Sequence, residues 1–151
     1  MAINDQPWFI SHLAAYRANP AQAHDWDSRP VGGNGIVPTL LLSTSRPKSG
    51  GSLDIPLLYQ PCGEGFVIVA SKGGSNRHPA WYRNLLANPA CTAQVGRTRY
   101  VLAARTLDGE ERQRYWDLMT RAWPAYRDYQ ARTDRQLPVV ILRIREFLGL
   151  D

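Results

Sequence analysis

The residues best suited to chemistry lie in one short segment, VASKGGSNRHP, which runs from Val69 to Pro79. The apolar run that ends at Val69 predicts a buried strand, and Pro79 fits the first position of a helix. Between them the chain offers a hydroxyl, positive charges and residues that tolerate φ > 0, namely Ser71, Lys72, Gly73, Gly74 and Arg77. Positive side chains beside a helix N-terminus favour an anion. The segment therefore predicts an anion-binding turn, and the alternative is an ordinary loop with solvated charges.

A longer stretch around this turn resembles a known family. ASKGGSNRHPAWYRNLLANP, residues 70–89, is similar to the signature of the deazaflavin-dependent nitroreductase and quinone reductase family, which uses cofactor F420. TRAWPAYRDYQARTDRQLPVVIL, from Thr120 to Leu142, resembles the C-terminal segment of that family. STSRPKSGG, from Ser43 to Gly51, is a weaker match to its basic turn. The three segments occur in a consistent order between about Leu40 and Leu142.

The resemblance implies a set of cofactor-binding residues. F420 carries a phosphate and a glutamyl tail, which basic side chains and turn N–H groups can neutralise. The implied residues are Arg46, Lys48, Ser49, Gly50, Ala70, Ser71, Lys72, Gly73, Arg77, Pro79, Trp81 and Tyr82. The chain departs from the family pattern after the Ser43–Gly51 segment. Ser52, Leu53 and Asp54 stand where many relatives have a basic residue, so one contact to the anionic end of F420 is absent or supplied from elsewhere.

The resemblance also implies catalytic residues. Ser71 corresponds to a serine at a strand end, whose hydroxyl would polarise a substrate oxygen that gains charge during hydride transfer. Tyr126 and Tyr129 are three residues apart and share one face of a helix. Their phenols would contact the substrate, with Trp123 as a wall. The alternatives are a serine that caps a turn and aromatic rings that belong to the core. Arg132 and Asp134 are expected to form an ion pair or to fix the last strand.

We therefore expect an oxidoreductase that uses reduced F420 to transfer a hydride to a planar acceptor such as a quinone or a nitroaromatic compound. Two alternatives stay open. The first is a reductase of the same barrel type that binds FMN. The second is a non-catalytic protein that holds F420 or an apolar ligand. The remaining motifs favour neither a metalloenzyme nor a hydrolase, because the three histidines are scattered and no GxSxG sequence occurs.

Composition limits the partners and the compartment. The 151 residues carry a net charge of +5 without a block of five basic residues, which counts against a nucleic-acid arm. Cys62 and Cys91 fit neither a disulfide framework nor a zinc motif, so we expect free thiols in the cytoplasm. The N-terminus lacks the features of a signal peptide. The apolar face of a helix with Trp8 and Phe9 is expected to pack on the core. The alternatives are peripheral contact with a membrane surface and the shielding of an apolar substrate. The sequence leaves the oligomeric state and the physiological acceptor open.

A length of 151 residues suits a single domain over residues 1–151 with its own core. An amphipathic helix at Gln6–Ala18 and an irregular connector at Asn19–Pro38 come first, and VGGNGIV in this connector lacks the spacing of a dinucleotide-binding loop. Two strands then flank the basic turn, and a third runs over Phe66–Ala70.

The second half of the chain is expected to contain both helices and strands. It predicts a helix over Pro79–Asn88, with Trp81, Leu85 and Leu86 facing the core. A β-hairpin, a helix that begins with a capping box of Asp108 and Glu111, a short helix over Pro124–Ala131 and a last strand follow. This order indicates an α+β fold. The family resemblance implies a split β-barrel with peripheral helices.

Overall fold

We describe the fold from a computed structural model of the chain. The structure describes residues 7–29 and 35–150, and it describes side chains over 12–29 and 35–149. The predicted contributions of Gln6, Trp8 and Phe9 to the first helix and residues 31–34 of the VGGNGIV segment therefore lie outside what is described here. No helix in the described ranges has the length and apolar character needed to cross a membrane.

Within residues 7–29 and 35–150, five helices and eight strands follow one another along the chain. The helices are α1 (Pro7–Ala18), α2 (Pro20–His24), α3 (Ala80–Ala87), α4 (Gly109–Ala122) and α5 (Ala125–Ala131). The strands are β1 (Asp25–Asp27), β2 (Ile36–Ser45), β3 (Ser52–Leu58), β4 (Gln60–Cys62), β5 (Gly65–Val69), β6 (Ala90–Val95), β7 (Thr98–Thr106) and β8 (Val139–Leu150). A 3-10 turn over Lys72–Gly74 separates β5 from α3.

One antiparallel sheet contains all these strands. Its order is β1-β2-β6-β7-β8-β5-β4. Strand β3 pairs with residues 39–45 of β2, beyond the residues that pair with β1. No ladder joins β3 to β4 or β5 within the described residues, so the sheet curls without closing. The α+β class expected from the sequence is confirmed.

The central strands are buried on both faces and separate two hydrophobic clusters. Because successive side chains of a strand point to opposite faces, Phe66 and Ile68 of β5 pack in one cluster, and Val67 and Val69 pack in the other. The first cluster fills the inside of the curled sheet together with Trp81 of α3. The second lies beneath α4 and α5. The end of β5 thus delivers Ser71 to the junction of the two clusters, between α3 and α5.

Several local predictions were wrong. The connector Asn19–Pro38 contains α2 and β1, because the side chain of Asn19 caps α2 and β1 pairs with β2. Leu86 is 62% exposed rather than in the core, since the buried face of α3 carries Trp81 and Leu85. Strand β4 was not predicted, and its three residues are too few to show a pattern.

The predicted capping box at the start of α4 also differs. Asp108 occupies the N-cap position, but its side chain makes no capping hydrogen bond. The carboxylate of Glu111 instead accepts hydrogen bonds from Arg105 of β7, with its oxygens at 2.8 and 3.1 Å from the guanidinium. The bidentate pair with a neighbouring strand has replaced the local bond to the helix backbone.

Candidate active site

A cavity of about 570 Å³ opens where the ends of β3 and β5 meet α3 and α5. Its volume is within the range of small-molecule sites. The lining combines aromatic rings, aliphatic side chains and a few polar groups. These residues are His12, Trp26, Thr39, Pro56, Leu57, Leu58, Val69, Ser71, Lys72, Gly73, Ser75, Pro79, Trp81, Trp123, Tyr126, Tyr129 and Arg132. The cavity therefore contains the first part of the predicted anion-binding turn and both of the predicted catalytic tyrosines.

The turn that follows β5 has an unusual backbone. Lys72, Gly73 and Gly74 have φ of 46°, 61° and 83°, so a non-glycine residue shares the left-handed region with two glycines. Such a conformation disfavours a residue with a side chain and persists only where surrounding contacts enforce it. Helix α5 supplies one of these contacts. A Cβ on Gly74 would lie 2.5 Å from the carbonyl oxygen of Tyr129, so only glycine allows α5 to approach this closely.

Arg135 supplies further contacts to this turn. Its guanidinium donates hydrogen bonds to the carbonyl oxygens of Ser75 at 2.6 Å, Ser71 at 2.8 Å and Ala70 at 3.1 Å, and to Nδ1 of His78 at 3.0 Å. A guanidinium has only donors, so Nδ1 of His78 accepts. Burial and the charges of Arg135 and Arg83 lower the pKa of His78 and favour this neutral form. Arg135 thereby fixes the backbone on both sides of Lys72.

No pattern in the sequence indicates the role of Arg135. It lies in a loop rich in arginine, and its four acceptors are distant in the chain. The ion pair expected between Arg132 and Asp134 is absent from the salt bridges of the described residues. Arg132 instead donates to the carbonyl oxygen of Gly73 at 3.3 Å and lies 5.5 Å from the ring centroid of Tyr129. Both arginines thus hold the turn after β5 against α5.

Three hydroxyl groups on the cavity have no hydrogen-bond partner among the described residues. They belong to Ser71, Tyr126 and Tyr129, whose donor capacity is therefore available to a ligand. The alternative of a turn-capping serine does not apply to Ser71, because its side chain makes no capping bond. Tyr126 is buried in the cluster beneath α4 and α5, and burial raises the pKa of its phenol, which stays protonated.

Tryptophan rings form much of the wall. Trp81 of α3 and Trp123, which follows α4, both line the cavity, and Trp26 of β1 lies 6.4 Å from Trp123 between ring centroids. Trp26 was not predicted, because it falls in the segment expected to be irregular. Tyr59 and Trp116 lie off this cavity. The hydroxyl of Tyr59 is 2.7 Å from Nε2 of His24, and Trp116 packs against Arg112.

His12 is a further polar group that the sequence did not single out. It is 6% exposed and lines the cavity from α1, with its ring stacked on Trp26 at 5.5 Å between centroids. A lone histidine in an amphipathic helix carries no recognisable pattern. Only the pairing of β1 with β2 brings Trp26 and Thr39 beside it.

The second basic turn, between β2 and β3, lies away from the cavity and is exposed. It holds the predicted cofactor-binding residues Arg46, Lys48, Ser49 and Gly50. Pro56 of β3 lines the cavity, whereas Ser52 adjoins the turn. The rise of a strand places these two residues about 13 Å apart. An extended ligand is needed to reach both regions.

Asp54 of β3, one of the departures from the family pattern, has a cationic partner. Its carboxylate lies 3.3 Å from a guanidinium nitrogen of Arg17 in α1 and 3.4 Å from the hydroxyl of Ser52. Arg17 therefore offsets the negative charge that Asp54 adds beside the basic turn. It also places an exposed guanidinium beside the strand position where the family resemblance leads us to expect a basic residue.

Ala70, Arg77 and Tyr82 lie off the cavity, and their roles in cofactor binding stay predictions. Ala70 is fully buried, and its carbonyl oxygen accepts from Arg135. Arg77 is exposed. Tyr82 is buried, with its hydroxyl 2.8 Å from that of Thr106. Pro79 and Trp81 line the cavity directly.

The residues present fit a deazaflavin cofactor. The cavity has an aromatic lining that suits a planar ring, and the strained Lys72 turn at its edge supplies positive charge. The exposed turn that carries Arg46 and Lys48 provides further charge at a distance for an anionic tail. The free thiols offer no rival redox centre, because burial raises the pKa of Cys91 to about 12 and Cys62 lies off the cavity.

Known proteins include clear relatives of this chain. The model of the F420H(2)-dependent quinone reductase family matches residues 14–143. An F420H(2)-dependent quinone reductase of Mycobacterium tuberculosis (strain H37Rv) is 38% identical over 114 residues, which cover 74% of this chain and 76% of the relative.

Two solved structures are also similar. One, described as an F420-H2 dependent reductase, superposes with a TM-score of 0.65 at 40% identity and covers 70% of this chain and 93% of its own. The other, described as a domain-swapped dimer, has a TM-score of 0.67 at 34% identity and covers 89% of this chain and 96% of its own. The predicted split β-barrel is confirmed.

Proposed function

This chain belongs to the F420H(2)-dependent quinone reductase family, and on that premise we propose that it reduces a planar quinone in the cavity described above. Nitroaromatic compounds are a second class of acceptor with the same planar shape. Reduced F420, when bound, supplies a hydride. The residues of this chain bind and orient the two reactants, exclude water and stabilise the charge that the acceptor gains.

The observation that carries the proposal is the set of unpartnered hydroxyls on the cavity. A quinone oxygen becomes negative as the ring gains a hydride, and hydrogen-bond donors fixed beside it lower the barrier. The hydroxyls of Ser71, Tyr126 and Tyr129 are available as such donors. Because burial raises the pKa of Tyr126, its phenol remains a donor at neutral pH. Trp81 and Trp123 complete a largely apolar wall, where a hydrogen bond is stronger than in water.

The two basic turns are proposed to hold the cofactor. Lys72, at the cavity edge, would contact the part of F420 closest to the ring, and Arg46 and Lys48 would contact the anionic tail. Arg17, beside Asp54, supplies positive charge in the region of the tail. A single domain over residues 1–151 and a cytoplasmic location also stay proposals, as does a peripheral membrane contact through α1.

Tyrosine-to-phenylalanine variants test the catalytic assignment. We expect Y126F and Y129F each to lower turnover about tenfold or more, while F420 affinity and thermal stability change little, because the phenol acts as charge builds on the acceptor. Steady-state kinetics and thermal melts measure both effects. Y115F is the matched control, since Tyr115 of α4 lies off the cavity. If both tyrosines serve only the core, the Phe variants will be silent, and Y126A and Y129A will lose about 3–5 kcal/mol of stability.

Titration of the protein with F420 and with FMN distinguishes the two candidate cofactors, and a reduction assay distinguishes an enzyme from a carrier protein. We expect F420 to bind at least several-fold more tightly than FMN by fluorescence, because FMN lacks the long anionic tail that would reach the Arg46–Gly51 turn. Equal or tighter binding of FMN would favour a flavin reductase. Tight binding of F420 without reduction of any quinone or nitroaromatic compound would favour a carrier protein.

A further inference from the structure

His12 of α1 is a buried residue that lines the cavity. Its Nε2 is 3.0 Å from the carbonyl oxygen of Ala23 and 3.2 Å from the hydroxyl of Thr39. A carbonyl oxygen only accepts, so Nε2 must carry a proton. Thr39 itself donates to Ala23 at 2.9 Å or to the carbonyl oxygen of His24 at 3.2 Å. The contacts of α2 and β2 thus fix which nitrogen of the ring is protonated.

The other ring nitrogen is left as an acceptor. The ring is 6% exposed and stacks on Trp26, and burial lowers its pKa despite the bond to Ala23, so the neutral form prevails. In that form Nδ1 carries a lone pair and no proton. Nδ1 makes no hydrogen bond among the described residues and is not one of their fully enclosed unpaired polar atoms, and the residue that carries it lines the cavity. An apolar environment raises the cost of leaving such a group unpaired.

We propose that Nδ1 of His12 determines substrate specificity by accepting a hydrogen bond from an N–H or O–H group on the ring of the electron acceptor. This inference rests on the proposed function, because it assumes that the acceptor occupies this cavity. The hydroxyls of Ser71, Tyr126 and Tyr129 can donate to a carbonyl, whereas His12 cannot. The cavity therefore selects a planar acceptor that offers both a carbonyl oxygen and a donor. A plain or methoxy-substituted quinone leaves Nδ1 unpaired.

Binding of two matched naphthoquinones, measured by tryptophan fluorescence without cofactor, tests this selection. One carries a ring amino group, and the other carries a methoxy group at the same position. We expect the wild-type protein to bind the amino compound about five- to tenfold more tightly. H12Q keeps an N–H that can reach Ala23 but removes the acceptor, so the ratio should fall to about one. H12N places an amide oxygen near Nδ1 and should retain part of the preference.

His24 provides the matched control. Its two nitrogens are 2.8 Å from a carboxylate oxygen of Asp25 and 2.7 Å from the hydroxyl of Tyr59, and it does not line the cavity. H24Q should keep the wild-type ratio. A wild-type ratio near one, or an H12Q variant with native melting behaviour and an unchanged ratio, would overturn the proposal.

Histidine nitrogen chemical shifts provide a measurement that needs no variant. In protein labelled with nitrogen-15 at histidine, Nδ1 of His12 should be unprotonated and should shift when the amino compound is added. A protonated Nδ1, or one that the amino compound leaves unchanged, would contradict the proposal. Because these experiments omit F420, a protein that shows the His12 preference but never reduces a quinone would refute the proposed function alone.

Discussion

Two basic, glycine-containing turns of this protein are similar in composition and different in how they are held. The turn over Ser71–Ser75 is clamped by Arg135 and by the backbone of α5, and it places Lys72 in a left-handed conformation. The turn over Arg46–Gly51 closes on itself, with N–H···O=C bonds of 2.7 and 3.0 Å between its own ends, and all its residues are exposed. In the proposed function, the turn that places the hydroxyl of Ser71 is fixed by tertiary contacts, whereas the turn proposed to supply charge to the cofactor tail is held by local bonds.

Substituting one glycine in each turn should reveal this difference most strongly. In G74A the new Cβ would meet the carbonyl oxygen of Tyr129 at 2.5 Å and its Cα at 3.0 Å, at a φ of 83°. We expect a loss of about 3 kcal/mol of stability from overpacking and backbone strain together. In G50A, at a φ of 74°, the Cβ meets nothing within 4 Å, so strain alone should cost about 1 kcal/mol. Urea unfolding measures both, and equal losses would contradict the comparison.

Arginine-to-alanine variants test the clamp itself. R135A removes the donors to three backbone carbonyls around Ser71, and we expect it to cost about 2–3 kcal/mol of stability and to weaken F420 binding. R135K retains the charge and part of the bonding, so it should be intermediate. R46A removes a single exposed bond of 3.3 Å to Ser52 and should change stability by about 0.5 kcal/mol or less. An R135A variant as stable as R46A would show that the hydrogen bonds of Arg135 do not stabilise the turn after β5.

Lysine variants compare the two turns as sources of charge. K72A and K48A should each weaken F420 binding by about 1–3 kcal/mol, with a smaller dependence on salt than the wild-type protein. We expect the larger effect for Lys72, because it lines the cavity, whereas Lys48 is exposed to solvent. Titrations at two ionic strengths give both quantities. Unchanged affinity in both variants would place the anionic end of the cofactor elsewhere.

The smallest expected difference between the two turns is their contribution to the pH dependence of stability. The folded protein lowers the pKa of His78, through burial and the charges of Arg135 and Arg83, so the unfolded chain binds its proton more readily. Stability should therefore be full above the unfolded pKa of about 6.5 and should fall as the pH drops below it. Unfolding free energies at several pH values measure this slope, to which His12 also contributes because burial lowers its pKa.

H78N isolates the contribution of the clamped turn. It should reduce the change of unfolding free energy with pH below about pH 6.5, and the part of that change contributed by His12 should remain. The Arg46–Gly51 turn contains no histidine and should add nothing to the slope in this range. A slope that H78N leaves unchanged would show that protonation of His78 does not disturb the turn after β5.

Much of the fold and part of the site could be predicted from local patterns. Strand β5 and helix α3 are short, strongly patterned segments on either side of glycines, so their order placed Ser71 and Lys72 correctly after a buried strand. Leu86 was misplaced because an eight-residue helix leaves the boundary of its buried face ambiguous. Strand β1 exists only through its pairing with β2, which no local pattern records.

The sequence by itself determined the family, the fold class and the segments that carry the candidate chemistry, because strand and helix periodicity, glycine turns and motif order are local properties of the chain. Only the tertiary structure decided which polar groups share the cavity. His12, Trp26 and Tyr126 come from α1, β1 and α5, and Arg135 reaches acceptors more than fifty residues away in the chain. Such contacts depend on strand pairing and helix packing, where the free energy of burial, not sequence proximity, sets the neighbours.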